Sequence, residues 1–344
     1  MHNILKRFGI GAEGCEVVPF GSGLINSTWD VKDASGRYIL QKVNDAIFQK
    51  PEDIAHNIEL IRNYLSEHYP SYYFVSPVTA DNGSTILKED GAYYRVFPFV
   101  KDSHSIDVVQ TPDQAYEAAR QFGKFTSVLK GLDVTQLRVT LPSFHDLSLR
   151  YEQFQESLET GNQSRIAESA ALIEQLLSFS PIVEEFEELK RSGKLKLRPT
   201  HHDTKISNVL FDNNDKTICV IDLDTVMPGY FISDVGDMMR TYLSPVSEEE
   251  SDFSKIVIRD DFYRAILDGY LSEMKNDLTE EEKERFFYAG QYMIYMQALR
   301  FLTDHLNDDV YYGAKYPNHN LIRAQNQLTL LQRLSEKENV LNKI

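Results

Sequence analysis

The chain has 344 residues, 26% charged and 42% hydrophobic, an ordinary globular composition too long for one small core, so two lobes are expected and disorder, collagen and coiled coil are excluded. Its 36 basic against 52 acidic residues leave a net charge of -16, a field that repels nucleic acid and anionic membrane, so neither is an expected partner. Any phosphate bound here must be neutralised locally, by a few aimed cations, backbone N–H groups or a divalent metal. In chain order, runs at 16–20, 28–31, 38–43, 85–87 and 93–97 predict strands broken by glycine turns, with Asp81-Asn82-Gly83 and Asp90-Gly91 the strongest turn signals. One helix interrupts them: Ile54, Ile58, Ile61 and Leu65 recur at helical spacing behind Pro51, predicting a helix over 51–69.

After Phe97-Pro98-Phe99 the apolar period changes. Ala115, Ala118, Phe122, Phe125 and Leu129 alternate by three and four, and similar stripes run over 151–158, 166–177 and 286–306. Inside this helical part lies one small strand pair, 208–211 and 217–221, joined by Asp212-Asn213-Asn214-Asp215. The expectation is an α+β chain: an antiparallel, strand-rich lobe with one helix over residues 1–100, a hinge near 97–101, and a larger, mainly helical lobe over 101–344. Two cysteines, Cys15 and Cys219, build neither a disulfide framework nor a metal cluster. No apolar run reaches the ~18 residues that span a bilayer, and Lys6 and Arg7 are followed by glycines and Glu13 rather than an apolar leader, so a cytoplasmic protein is expected.

The chemistry concentrates in His201-His202-Asp203-Thr204-Lys205-Ile206-Ser207-Asn208, an HxDxKxxN string, and in Asp222 at the exit of the strand pair that follows it. Phosphoryl transfer needs a loop Asp to take the attacking hydroxyl's proton, an Asn five positions on that turns back to a metal, and a second Asp beyond a short hairpin on the same metal. Asp203, Asn208 and Asp222 fill those roles. Lys205, two residues past the base, is placed to offset charge on the transferred group. Upstream, Gly21, Ser22 and Gly23 followed by Asn26, Ser27 and Thr28 sit between two predicted strands, where glycines let backbone N–H groups approach phosphate and the side chains add donors. ATP with Mg²⁺ is the expected cofactor pair.

These segments, with the hinge at 97–100, Ile221-Asp222-Leu223-Asp224 and Asp234-Val235-Gly236-Asp237, together resemble the aminoglycoside phosphotransferase and choline kinase superfamily, relatives of protein kinases. The stretches at 38–44, 50–61, 141–151, 201–212 and 220–240 are similar to the N-acetylhexosamine 1-kinases. The resemblance implies a two-lobed protein-kinase-like fold, a nucleotide-binding first lobe with hinge contacts at Phe97 and Phe99, a catalytic and acceptor-binding second lobe, and a free GlcNAc or GalNAc phosphorylated at its anomeric hydroxyl. One position departs from the wider pattern. Where the third strand of such proteins carries a phosphate-contacting Lys, this chain has Gln41, and period two points Lys42 to the opposite face. Either Lys42 reaches the phosphates through a register shift, or Gln41 stands there and the usual pair with a helix acid such as Glu59 is missing.

Acceptor-binding candidates are His202, Asp224, Asp234, Asp237, Arg300 and Tyr312. Asp234 and Asp237 could equally cap a helix or buttress the catalytic loop. Arg300 interrupts an apolar run and needs either a carboxylate partner or a ligand oxygen. Tyr311 and Tyr312 offer faces for a sugar ring; His145 and Asp146 fit a helix cap. Two rival readings are a kinase for another small alcohol (homoserine, choline or an aminoglycoside), with the acidic run Ser247 to Glu250 receiving a cationic acceptor, and a nucleotide-binding pseudokinase.

Overall fold

The glycine turns and β-rich runs of the first hundred residues close into one antiparallel sheet. The computed structural model describes residues 1–11, 15–21 and 25–342. A short helix α1 (His2–Arg7) precedes β1 (Glu16–Pro19), β2 (Ser27–Asp33) and β3 (Gly36–Val43). After helix α2 (Pro51–His68) come β4 (Leu87–Glu89) and β5 (Ala92–Pro98), and the sheet order is β1-β2-β3-β5-β4. Its buried face packs Val31, Leu40, Leu87 and Val96 against Ile4, Leu5, Phe8 and Ile10, so α1, an element not expected from sequence, and the residues after it plug this small core.

Beyond β5 the chain is mainly helical. A two-residue strand β6 (His104–Ser105) leads to α3 (Pro112–Val128), α4 (Leu147–Thr160), α5 (Gln163–Glu168), α6 (Ala170–Ser178) and α7 (Pro181–Ser192). The stripe at 166–177 is thus split at Ser169, which ends α5 and begins α6. Four short strands follow, β7 (Arg198–Thr200), β8 (Val209–Phe211), β9 (Thr217–Val220) and β10 (Met227–Gly229), then α8 (Phe231–Tyr242), α9 (Asp260–Met274), α10 (Glu280–Lys283), α11 (Phe286–Leu306), α12 (His319–Ser335) and α13 (Glu338–Leu341). Helix α11, with 18 buried residues, is the axis of the large core, on which α8, α4, α7 and α12 pack. No described helix is long and apolar enough to cross a membrane.

Two features position the site. First, β7 pairs antiparallel with β10 and β8 with β9, so the segments 201–208 and 221–226 emerge side by side from two short ladders. Second, the apolar stripe of α2 (Ile54, Ile58, Ile61, Leu65) belongs to the large helical core rather than to the sheet's own cluster. Fully buried Asn57 locks that packing: its Nδ2 donates to the carbonyls of Arg138 (2.8 Å) and Val226 (2.9 Å), and its Oδ1 accepts from the Arg138 N–H (2.8 Å).

Candidate active site

The loop at 201–208 is built from buried polar groups that hold one another. His201, wholly buried, lies between the edges of Phe122 and Phe125 and shares a 3.0 Å hydrogen bond between its Nε2 and the Ile221 carbonyl. His202 takes a left-handed backbone (φ 65), with Nδ1 3.0 Å from the Thr200 carbonyl and 3.2 Å from that of Thr225. The Asp234 carboxylate accepts the N–H groups of His201 (3.1 Å) and His202 (2.7 Å), and Asp237 accepts that of Thr204 (2.8 Å) while pairing with Arg240 at 2.9 Å. Burial lowers His202 to about 4, keeping the ring neutral, and raises Asp234 to about 7 despite its two N–H donors. His202, Asp234 and Asp237, expected among the acceptor-binding residues, are therefore buried supports of the loop.

What this scaffold presents is Asp203, partly open, with Lys205 Nζ 3.1 Å from its Oδ2. Crowding by neighbouring protein works against the Lys205 charge, but Asp203 and then Asp222 and Asp237 outweigh it, so the ammonium is held charged. Asn208 folds back, Nδ2 donating to the Asp203 carbonyl at 2.8 Å, and its backbone carbonyl accepts the Ile221 N–H at 2.9 Å. This places Asp222, in the left-handed region at φ 60, beside Asn208. Among the described residues, Asn208 Oδ1 and the Asp222 carboxylate accept no hydrogen bond, although Asp222 is open to solvent. Crowding by protein, then the Asp224 and Asp203 charges, push Asp222 up to about 7. Unused hard oxygens among accumulated negative charge suit a divalent cation that keeps waters and takes phosphate oxygens as further ligands. Among the described residues no three His, Cys, Asp or Glu side chains come together to hold a metal ion.

The sheet roof settles the strand register. Thr28, Gln41 and Arg95 stand directly opposite one another across β2, β3 and β5 and share one face, with Phe97 two residues on, whereas Ser27, Lys42 and Tyr94 share the other. Lys42 is exposed; Gln41 Oε1 accepts from Arg95 Nε at 3.0 Å. Arg95 is 3% exposed and meets Asp224, 2% exposed, with 2.5 Å between Nη2 and Oδ1. Asn26 joins them, donating to Asp224 Oδ2 at 2.8 Å while accepting the Asn44 N–H at 3.0 Å. Asp224, expected near the acceptor, thus lies under the sheet. Gly21 holds φ 77, a backbone that favours glycine; Ser22 and Gly23 lie outside the described residues. Ser27 lies with Lys42 on the face turned to α1. Glu59 pairs with Arg62 on its own exposed helix surface, at 3.2 Å.

At the hinge, Phe97 joins Leu210, Ile218 and Ile221 around buried Val75, Val100 and Cys219, an apolar patch that runs from β5 to the strand pair. Phe99 is outside it: its N–H donates to the Arg37 carbonyl, and the Arg37 guanidinium covers its ring at 3.5 Å.

On the far side of the loop, His145 lies with its ring 5.3 Å from that of His202, and its Nδ1 has no partner among the described residues. Arg300 donates to Gln297 (3.2 Å), which donates to the Tyr312 hydroxyl (3.2 Å), and its guanidinium lies over Phe144, Tyr311 and Tyr312. Among the described residues neither Arg300 nor nearby Arg150 has a carboxylate partner. Asp146 caps α4. The acidic run is neutralised: Glu248 pairs with Arg240 and Arg323, Glu249 with Lys315 and Glu250 with Lys255.

Arg95 and Asn57 escaped sequence reasoning. Arg95 carried a readable signal, a lone charge on the inward period of an apolar strand; Asn57, one amide inside an isoleucine stripe, carried little.

Residues 16–281 match the model of the phosphotransferase enzyme family. Among solved structures, an aminoglycoside phosphotransferase from Alicyclobacillus acidocaldarius superposes with a TM-score of 0.65 at 12% identity, covering 95% of this chain and 93% of that one. A microcompartment-associated aminopropanol kinase gives 0.62 at 15% identity over 99% and 97%. An ethanolamine kinase from Plasmodium vivax gives 0.58 at 14% identity over 92% and 82%. At these identities the three share the fold.

Proposed function

Since the chain belongs to the phosphotransferase enzyme family, we propose that it is an ATP-dependent kinase that phosphorylates the anomeric hydroxyl of an N-acetylhexosamine, GlcNAc or GalNAc, to the 1-phosphate. The observation that carries the kinase reading is the grouping of Asp203, Lys205, Asn208 and Asp222 where the segments 201–208 and 221–226 emerge side by side. The first hundred residues would hold the nucleotide, its base against the Phe97, Leu210 and Ile221 patch, and the helical lobe would supply the base and the acceptor site.

Asp203 orients the acceptor hydroxyl and takes its proton as that oxygen bonds to the γ-phosphorus of ATP and the bond from phosphorus to the β–γ bridging oxygen breaks, releasing ADP; an anomeric hydroxyl is more acidic than an ordinary alcohol, which eases that step. Lys205 stays charged beside it and stabilises the phosphoryl oxygens. Asn208 Oδ1 and Asp222 would hold Mg²⁺, which when bound neutralises charge on the β- and γ-oxygens.

The acceptor reading is supported by the charge on the far side of the loop. Glu248, Glu249 and Glu250 are each paired, so they leave no acidic pocket for a choline or aminoglycoside cation. Arg300, Tyr312 and His145 instead offer donors and aromatic faces, which suit a hydroxyl-rich ring. Phosphorus NMR of a reaction with ATP, magnesium and GlcNAc or GalNAc tests it: an anomeric phosphate is expected, and a 6-phosphate, or turnover only with a cationic alcohol, rejects the sugar assignment.

A further inference from the structure

A kinase of this architecture needs a fixed cation above the triphosphate, and in so acidic a chain it must come from a specific side chain. The strand register removes Lys42, which with Ser27 and Tyr94 lies on the face turned to α1 rather than on the one turned to Asp224. It puts Arg95 on that latter face instead, in the row of Thr28 and Gln41, two residues before Phe97. We propose that Arg95, on β5, is the cation that contacts the phosphates of the bound nucleotide, in place of a lysine on β3, with Gln41, Asp224 and Asn26 as its holder.

Three observations carry this. Gln41 Oε1 accepts from Nε at 3.0 Å and fixes the plane of the guanidinium, which leaves Nη1 and Nη2 outside that bond. Arg95 Nη2 meets Asp224 Oδ1, two residues past Asp222. The contact to Asp224 is an ion pair without an aligned hydrogen bond at Oδ1, and Nη1 has no hydrogen-bond partner among the described residues. Arg95 therefore keeps donors for a second anion, which planar bidentate geometry fits to a phosphate better than an ammonium would. Asn26, just before β2, holds Asp224 in turn, so the residue that meets Arg95 is itself tied to the start of the sheet's second strand.

The proposal rests on the nucleotide-binding part of the reading above, and its test separates the two. Calorimetric titration of the full chain with ATP and with adenosine, in the absence of metal, compares ligands that differ only in the phosphates. For R95Q, ATP affinity should fall about ten- to hundredfold, the worth of a charged hydrogen bond to phosphate, with adenosine affinity unchanged. R95K, which keeps the charge, should recover part of the loss, and K42A should match the wild type for both ligands. An equal loss for ATP and adenosine in R95Q makes Arg95 a structural residue and overturns the proposal, as does wild-type ATP affinity in R95Q or a selective ATP loss in K42A. If R95Q does not fold, R95K decides alone: unchanged adenosine affinity with altered ATP affinity upholds the proposal, and no change in either overturns it. A wild-type chain that binds ATP no better than adenosine overturns the nucleotide reading itself.

Discussion

His202 and Asp222 both occupy the left-handed backbone region, at φ 65 and φ 60, which costs a non-glycine residue of order 1 kcal/mol or more. Each is held there by neighbours: the His202 N–H by Asp234, and Asp222 by the Ile221 bond to Asn208 just before it. Gly229 belongs to the same arrangement, since a Cβ there would lie 2.4 Å from His202 Nε2. These local distortions aim Asp203, Asn208 and Asp222 at one region while their backbones stay bonded. Asp203 has no share in holding the loop through its carboxylate, whose partner is the exposed Lys205. Asp203→Ala should accordingly lower kcat roughly 10³-fold, the worth of a positioned general base, with an unchanged melting temperature. Turnover within tenfold of wild type would remove Asp203 from the mechanism.

At the scale of elements, helix α8 does two jobs with one short sequence. Asp234 and Asp237 face the catalytic loop, and Gly236 between them lets the helix lie directly on α11. A Cβ at Gly236 would stand 2.3 Å from the Ala289 carbonyl oxygen and 2.8 Å from Met293 Cβ. Alanine in a helix interior gains about 1 kcal/mol over glycine, but overlap with a backbone oxygen that cannot rotate away costs about 1–3 kcal/mol, so the helix must shift and carry both carboxylates with it. Gly236→Ala should therefore lower the denaturant midpoint and kcat together. A midpoint at or above wild type would show that α8 and α11 are not so closely apposed.

At the scale of the molecule, the two lobes are joined by more than the hinge. The stripe of α2 packs into the helical core, Asn57 spans from α2 to the segment after Asp224, and Arg95 and Asn26 meet Asp224 from the sheet. A nucleotide bound between these surfaces would contact both lobes and stabilise the whole chain. At a hundred times its Kd a ligand adds about 2.7 kcal/mol, so ATP with magnesium should raise Tm by several degrees. Chelation by EDTA, or Asn208→Ala or Asp222→Ala, should remove the magnesium-dependent part of that rise. A rise of the same size without magnesium would reject Asn208 and Asp222 as its ligands.

Periodicity and turn chemistry, both local, determined from sequence alone the strands of the first lobe with helix α2 among them, the strand pair that became β8 and β9, and the stripe that became α11. They also left Gln41 and Lys42 as alternatives, because a single strand has two faces and only its neighbours say which is inward. Tertiary structure decided that question by setting Thr28 and Arg95 on either side of Gln41. It also decided that Asp234 and Asp237 hold the loop, that Asp224 lies beneath the sheet, and that the acids at 248–250 are paired. A side chain's residue type sets the bonds it can make, but which bonds it makes depends on groups tens or hundreds of positions away, brought within 3 Å only when the cores close.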